Sequence, residues 1–202
     1  MRVGVFGGTF DPVHLGHLIL AEQCREQAKL DQVLFVPAAR PPHKLDRELT
    51  KFEQRVEMLA LAISGQPAFR IDEREKNRPG PSYTYVTLEE LRQHQPGAEL
   101  YLIIGADSLH DLPGWVQPRR ILELAALLVV PRSGCEMVEL ETLRQAFKLP
   151  DDFPLRLQIV RAPLIDIASR DVRQRIAQGR SVRYLIPRAI EAYAAEKGLY
   201  RG

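Results

Sequence analysis

The strongest chemical signal in the sequence is the segment Gly7-Gly8-Thr9-Phe10-Asp11-Pro12-Val13-His14-Leu15-Gly16-His17, which follows a short apolar run at residues 3–6. The pattern predicts a strand, a sharp turn at Gly7-Gly8 and a helix that begins at residue 15. Such a turn presents backbone N–H groups and the positive end of a helix dipole to a ligand, and its glycines allow close approach. The segment therefore predicts a phosphate site.

Two histidines, His14 and His17, lie three residues apart and are expected to share one face of the helix. Imidazole N–H groups can donate hydrogen bonds to phosphate oxygens and stabilise the charge that develops during phosphoryl or nucleotidyl transfer. Two alternatives stay open at this point. The pair could ligate zinc, although no third ligand stands at a standard spacing, or the glycines could cap an ordinary core helix. The P-loop and dinucleotide-binding fingerprints are both absent from the sequence.

Composition limits the class of protein. The chain has 202 residues, of which 45% are hydrophobic, so it can bury the core of one domain spanning residues 1–202. Its formal net charge of +2 gives no general argument for binding nucleic acid or a membrane. Two cysteines without a disulfide framework fit a reducing compartment, and the amino terminus lacks the pattern of a signal peptide. These features predict a cytoplasmic protein.

Strand-like and helix-like segments alternate along the chain. The strand-like runs are residues 3–6, 33–36, 69–71, 100–104, 127–130 and 157–160. The helical patterns are residues 15–28, 52–63, 85–93, 169–177 and 188–196. The alternation predicts an α/β fold: a doubly wound, Rossmann-like parallel sheet with helices on both faces and a small helical C-terminal part. Ligands of such sheets bind at the carboxyl ends of the strands.

Residues 8–17 resemble the Gly-x-Phe-x-Pro-x-His-x-Gly-His signature of the nucleotidyltransferase superfamily that includes nicotinate-nucleotide adenylyltransferase. Related signatures occur in phosphopantetheine adenylyltransferases and cytidylyltransferases, so other segments must indicate the substrate. Several segments resemble the bacterial nicotinate mononucleotide branch, in the same order along the chain. They are Pro41-Pro42-His43-Lys44, Pro81-Ser82-Tyr83-Thr84, Ile104-Gly105-Ala106-Asp107-Ser108, Trp115 and the arginine-rich start of a late helix.

The resemblance implies that ATP and nicotinate mononucleotide are the substrates, and that nicotinate adenine dinucleotide and pyrophosphate are the products. Mg²⁺ would be bound with ATP, without a dedicated metal site in the protein. The implied catalytic residues are His14, His17 and Arg173. No nucleic-acid or membrane partner is expected, and a homo-oligomer is compatible with the sequence. The alternatives are preference for the amidated mononucleotide or another phosphate acceptor, a dinucleotide-dependent oxidoreductase, and a non-catalytic nucleotide- or RNA-binding module.

The predicted ATP site draws on several segments: Gly8, Thr9, Phe10, Gly16, Gly105, Asp107, Arg132 and Ser169. Asp107 could accept hydrogen bonds from ribose hydroxyls, or it could cap the next turn. Ser169 is expected to be the N-cap of a helix whose first turn binds phosphate. The superfamily motif Ile-Ser-Ser-Thr-x-Ile-Arg is altered here, because Ala168 replaces the first serine and Arg170 the threonine. Alternatively, the arginines of this segment form a solvated basic face.

The resemblance places five residues near the mononucleotide: His43, Lys44, Tyr83, Thr84 and Trp115. Each has a structural alternative. Residues 40–44 could form a solvated surface loop, and Ser82 or Thr84 could be the N-cap of a helix. The backbone N–H groups of that helix start, with the Thr84 hydroxyl, could bind the nicotinate carboxylate. Trp115 could stack on the pyridine ring or belong to the core.

Overall fold

The computed structural model describes residues 1–42, 49–132, 134–135 and 138–201, so the predictions for His43 and Lys44 lie outside the described residues. Parallel strands form a six-stranded sheet in the order β3-β2-β1-β4-β5-β6. The strands are β1 (Arg2–Gly8), β2 (Gln32–Pro37), β3 (Phe69–Ile71), β4 (Glu99–Gly105), β5 (Ala125–Val130) and β6 (Leu157–Ile159). All six predicted strands are confirmed. The strand order reverses between β1 and β4, where ligands of such sheets bind.

The helices lie on both faces of this sheet. They are α1 (Leu15–Gln27), α2 (Phe52–Ile63), α3 (Thr84–His94), α4 (Ala106–Asp111), α5 (Pro118–Leu124), α6 (Leu140–Ala146), α7 (Ser169–Ala177) and α8 (Arg188–Glu196). The five predicted helices are confirmed, whereas α4, α5 and α6 were not predicted. Each of these three has only six or seven residues, too few for a helical repeat of apolar positions to be visible.

Alternate residues of the strands supply two cores, because successive side chains of a strand point to opposite faces. In β4, Leu102 and Ile104 join the core beneath α3 and α5, whereas Ile103 joins the core beneath α1 and α2. The core beneath α1 and α2 also contains residues of α7 and α8. These last two helices therefore pack on the same face of the sheet as α1. None of the described helices is long and apolar enough to cross a lipid bilayer.

The predicted turn at Gly7-Gly8 is wrong, because both glycines belong to β1 and pair with Val36 and Pro37 of β2. The turn comes two residues later, at Phe10, whose φ of 48° lies in the left-handed region. A non-glycine residue in that region is strained and persists only where its surroundings fix it. Here the Phe10 ring is held in the core, with the residue only 1% exposed.

Candidate active site

Helix α1 begins with two histidines that close its first turn reciprocally. His14 is the N-cap residue, and its Nδ1 accepts a hydrogen bond from the backbone N–H of His17 at 3.4 Å. In return, Nδ1 of His17 accepts from the backbone N–H of His14 at 3.2 Å. The arrangement is a capping box in which imidazoles replace the usual hydroxyl and carboxyl groups. The two rings stack with their centroids 3.6 Å apart. The prediction that both lie on one helix face is wrong in detail, because His14 precedes the helix as its N-cap.

The cap determines which nitrogen of each ring can donate. Because both Nδ1 atoms accept from backbone N–H groups, the neutral rings carry their proton on Nε2. His14 is 5% exposed, and burial, followed by the positive charge of Arg132, lowers its pKa from 6.5 to about 4. At neutral pH, His14 is therefore an uncharged Nε2–H donor of the kind that can bind a phosphate oxygen.

The buried neutral state of His14 predicts that folding is sensitive to acid. Its pKa is about 4 in the folded protein and about 6.5 in the unfolded chain. Between these values the unfolded state binds more protons, so the free energy of unfolding falls as the pH drops through this window. From pH 7 to pH 5 we expect this residue to remove about 2 kcal/mol of stability.

Urea unfolding at pH 7 and pH 5 measures this contribution. The matched variant is His14→Asn, because asparagine is a good N-cap residue but does not titrate. The free energy of unfolding of the variant should fall by about 2 kcal/mol less than that of the wild type over the same interval. Equal losses in the two proteins would contradict a buried, neutral His14.

Glycines beside the histidine cap make room for neighbouring side chains. A Cβ at position 16 would lie 3.0 Å from Nδ1 of His14, and a Cβ at position 8 would lie 3.0 Å from the Phe10 ring. The Phe10 ring in turn packs edge-on against His17, with centroids 5.1 Å apart. Gly16 therefore leaves room for the His14 ring, and Gly8 leaves room for the Phe10 ring, which packs against His17.

The carbonyl groups between β1 and α1 bind the start of α7. Nη1 of Arg173 donates to the carbonyl oxygen of Asp11 at 2.5 Å. Oγ of Ser169 donates to the carbonyl oxygen of Pro12 at 2.9 Å. These two bonds bring the amino terminus of α7, with its positive dipole end, next to the amino terminus of α1.

The prediction that Ser169 is the N-cap of α7 is wrong. Ala168 occupies the N-cap position without a side-chain bond, and Ser169 is the first helical residue. The Ser169 hydroxyl binds the Pro12 carbonyl, so it joins two segments instead of closing its own helix. Arg170, which departs from the superfamily motif, is exposed and pairs with Asp171 at 3.4 Å.

An ion pair lies where β4 and β5 end. Nη1 of Arg132 donates to Oδ2 of Asp107 at 3.1 Å, and both side chains are roughly half exposed. Gly105 makes this position available, because a Cβ there would overlap Oδ1 of Asp107. The alternative of Asp107 as a cap is wrong, since Gly105 is the N-cap of α4 and no side chain caps that helix. Among the described residues, Oδ1 of Asp107 has no hydrogen-bond partner.

The start of α3 is joined to the loop that follows β2. Oγ of Ser82 accepts hydrogen bonds from the backbone N–H groups of Ala39 and Arg40, each at 3.1 Å. The suggested N-cap role of Ser82 or Thr84 is therefore wrong: Tyr83 is the N-cap, without a side-chain bond, and Thr84 is the first helical residue. These contacts place Tyr83 and Thr84 beside the loop that leads to residues 43–48.

Trp115 follows the 3₁₀ turn Leu112–Gly114 directly after α4. It is half-buried and packs against the core on the α3 face. The side chain is therefore partly a core residue, as one of the two sequence-based interpretations held. Its partial exposure leaves surface for a second contact.

Three residues that the sequence analysis did not select support the segment between β1 and α1. Arg55, on α2, is 1% exposed and donates from Nη1 to the carbonyl oxygen of Thr9 at 2.7 Å. The carboxylate of Asp11, 2% exposed, accepts from the hydroxyl of Tyr200 at 2.7 Å. The sequence of α2 could have indicated that Arg55 is buried, because Arg55 lies on the same face of the helix as Met58 and Leu59.

The sheet gathers most of the predicted residues at one edge. The histidine cap follows the end of β1, and Arg173 binds the carbonyl oxygen of Asp11 three residues before that cap. The charge of Arg132 acts on His14 from the end of β5. The loop after β2 joins the same edge through the hydrogen bond from Ala38 N–H to the carbonyl oxygen of Gly8 at 2.8 Å. In the described parts of the chain, no cluster of three or more histidine, cysteine or acidic side chains could hold a metal ion.

The chain combines a doubly wound α/β sheet with two histidines after the first strand and an arginine on a late helix, and the comparisons that follow place it among the α/β nucleotidyltransferases. The cytidylyltransferase-like family model matches residues 5–175. A protein of Thermomicrobium roseum described as a probable nicotinate-nucleotide adenylyltransferase is 48% identical over 200 residues, which cover 99% of this chain and 92% of that protein. One of the same description from Thermus thermophilus is 44% identical over 201 residues, with both chains covered completely.

Among solved structures, the nicotinic acid mononucleotide adenylyltransferase of Plasmodium falciparum, complexed with NaAD, superposes with a TM-score of 0.82. The match covers 98% of this chain and 97% of that chain at 18% sequence identity, and thus bears on the fold. The chain belongs to the nicotinate-nucleotide adenylyltransferases, within the cytidylyltransferase-like family. The resemblance found in the sequence is confirmed.

Proposed function

We propose that this protein transfers the AMP moiety of ATP to nicotinate mononucleotide, giving nicotinate adenine dinucleotide and pyrophosphate in NAD biosynthesis. The observation that carries the proposal is the reciprocal cap of His14 and His17, which fixes two imidazoles as Nε2–H donors at the end of β1. The relatives from T. roseum and T. thermophilus, which match over nearly the whole chain, support the choice of substrates.

In the proposed reaction, a phosphate oxygen of the mononucleotide attacks the α-phosphorus of ATP in line. A new P–O bond forms there, the bond from the α-phosphorus to the oxygen of the β-phosphate breaks, and pyrophosphate leaves with its electron pair. The attacking phosphate is already an anion at neutral pH, so no protein nucleophile is required. The protein positions the substrates and stabilises charge in the transition state. Magnesium would be supplied with ATP, where its charge would offset the negative charge of the phosphates.

Charge stabilisation is assigned to His14, His17 and Arg173. The imidazoles donate from Nε2, and the Arg173 guanidinium, anchored through Nη1 on the carbonyl oxygen of Asp11, adds a charged donor beside them. These groups are fixed before substrate binds, so little reorganisation is needed when charge develops. The helix start at Ser169 adds its dipole to the same region.

The other predicted site residues are assigned either to ATP or to the mononucleotide. The residues proposed to bind ATP are Gly8, Thr9, Gly16, Gly105, Asp107, Arg132 and Ser169. Phe10 was predicted with them, but its side chain lies in the core and is 1% exposed. Tyr83, Thr84 and Trp115 are proposed to bind the mononucleotide, with its carboxylate at the start of α3. A cytoplasmic location is proposed as well, and the free thiols of Cys24 and Cys135 are compatible with it.

The reaction is tested by incubating purified protein with ATP, magnesium and nicotinate mononucleotide, with pyrophosphate and dinucleotide measured together. We expect the two products in equal amounts, and neither when the mononucleotide is left out. If the mononucleotide phosphate carries ¹⁸O, the label should appear in the dinucleotide and not in pyrophosphate. Pyrophosphate without dinucleotide, or labelled pyrophosphate, would contradict the proposed reaction.

A further inference from the structure

The segment from Thr9 to Pro12 is supported by a polar cluster, which we call the buttress: Asp11 and Arg55, which are buried, and Thr50 and Tyr200, which are half-buried. Arg55 donates from Nη1 to the carbonyl oxygen of Thr9 at 2.7 Å and from Nε to the carbonyl oxygen of Thr50 at 2.9 Å. The backbone N–H of Thr50 lies 3.4 Å from Oδ2 of Asp11. Burial lowers the pKa of Arg55, and the negative charge of the Asp11 carboxylate opposes that shift.

Tyr200 completes the buttress from the far end of the described chain. Its hydroxyl donates to Oδ1 of Asp11 at 2.7 Å. The chain reaches this position by turning after α8, where Gly198 and Tyr200 have φ values of 63° and 62° and the N–H of Leu199 returns to the carbonyl oxygen of Ala194 at 2.9 Å. A non-glycine residue in the left-handed region is held there by its surroundings.

Asp11 connects the buttress to Arg173 and to the histidine cap, the groups that are proposed to stabilise charge. Its carboxylate is held by Tyr200, and its carbonyl oxygen accepts from Nη1 of Arg173. Three residues further along the chain, His14 starts the histidine cap. A shift of Asp11 would therefore displace the guanidinium and the imidazoles together, and a misplacement of about 1 Å can lower a rate by about two orders of magnitude.

The Tyr200 hydroxyl stays protonated over the range in which the protein would work. Burial first, and the negative charge of Asp11 second, raise the pKa of Tyr200 above its ordinary value. Loss of the Tyr200 proton is thereby opposed, so at neutral pH the hydroxyl remains the donor in its bond to Asp11. A fixed donor suits a positioning role better than a role in proton transfer.

We propose that Tyr200 is a positioning residue for nucleotidyl transfer, which acts by holding the Asp11 carboxylate and through it Arg173 and the histidine cap. This inference rests on the proposed function for its kinetic consequence. Its structural consequence, that the histidine rings move when the Tyr200 hydroxyl is removed, is independent of the reaction. The two consequences allow separate tests.

Tyr200→Phe removes only the hydroxyl, and Tyr193→Phe is its matched control. Tyr193, on α8, donates its hydroxyl to Oε2 of Glu57 at 2.5 Å, so it makes the same type of bond without touching the segment from Thr9 to Pro12. We expect kcat per folded molecule to fall about 10-fold in Tyr200→Phe, with KM for both substrates changed less than about 2-fold. Tyr193→Phe should keep the wild-type kcat.

The structural consequence is measured without substrate, by NMR of the ring C–H groups of the five histidines. Tyr200→Phe should shift the signals of His14 and His17, whereas Tyr193→Phe should leave them in place. Identical histidine spectra and equal kcat in the two variants would overturn the positioning role. An inactive wild-type protein would refute the proposed function, while the spectra would still decide whether Tyr200 positions the rings.

A second variant separates positioning from a general loss of stability. Asp11→Asn keeps the size of the side chain but removes its charge, and it should lower kcat per folded molecule by a similar factor. In the double variant with Tyr200→Phe, we expect the loss to be less than the product of the two single losses, because both changes break the same link. Independent, multiplicative losses would contradict a link through Asp11.

Discussion

Replacing His17 with alanine is expected to lower kcat by about 30- to 1000-fold, which corresponds to about 2–4 kcal/mol of lost transition-state stabilisation. The reason is the loss of a preorganised Nε2–H donor. His17 also caps α1, since its Nδ1 accepts from the backbone N–H of His14. Its removal should therefore lower the free energy of unfolding by about 1 kcal/mol, a small loss that leaves the fold intact. Steady-state kinetics and urea unfolding measure the two effects.

A second substitution separates capping from catalysis. Glutamate is a preferred residue at the third position of a capping box, so His17→Glu should restore much of the stability. Its ionised carboxylate has no N–H to donate, so the variant should stay as inactive as His17→Ala. The control away from the candidate site is His94→Ala, which removes an exposed histidine at the end of α3. This variant should keep the wild-type kcat. Activity restored by glutamate, or a His17→Ala enzyme within about 3-fold of wild type, would disprove the donor role.

Arg173→Lys should lower kcat by about 10- to 100-fold, although the charge is kept. The guanidinium can bind the carbonyl oxygen of Asp11 through Nη1 and offer its other N–H groups to phosphate, whereas an ammonium is a single compact donor. Lysine cannot make both contacts in the same geometry. The corresponding loss is about 1.4–3 kcal/mol in transition-state stabilisation.

The matched control for Arg173 lies on the same helix. Arg175 donates from Nε to the carbonyl oxygen of Ser181 at 2.8 Å, so Arg175→Lys makes the same chemical change away from the segment between β1 and α1. Its kcat should equal that of the wild type. If the two lysine variants have the same kcat, Arg173 has no special part in the reaction.

The strands and long helices could be predicted because their apolar residues recur with clear periods. Arg55 was missed although it lies on the buried stripe of α2, since a charged residue there was not considered as a core residue. The contact between Tyr200 and Asp11 joins positions 189 residues apart, and no local pattern signals it.

The residues of the candidate site could be selected from their types, but their geometry could not be predicted. The spacing of His14 and His17 predicted a shared face, whereas their reciprocal hydrogen bonds depend on His14 being the N-cap instead of a helical residue. Likewise, glycines were interpreted as room for a ligand. The structure shows that Gly16 and Gly105 first make room for the side chains of His14 and Asp107.

The most direct test offers the protein ATP, magnesium and equal amounts of nicotinate mononucleotide and its amide in one reaction, with both dinucleotides measured by mass. We expect the product of the acid to predominate strongly and to match the amount of pyrophosphate released. The reason is that the nicotinate carboxylate is proposed to bind at the helix start formed by Tyr83 and Thr84. Predominance of the amide product would contradict the carboxylate site. Absence of both dinucleotides would contradict the proposed function itself.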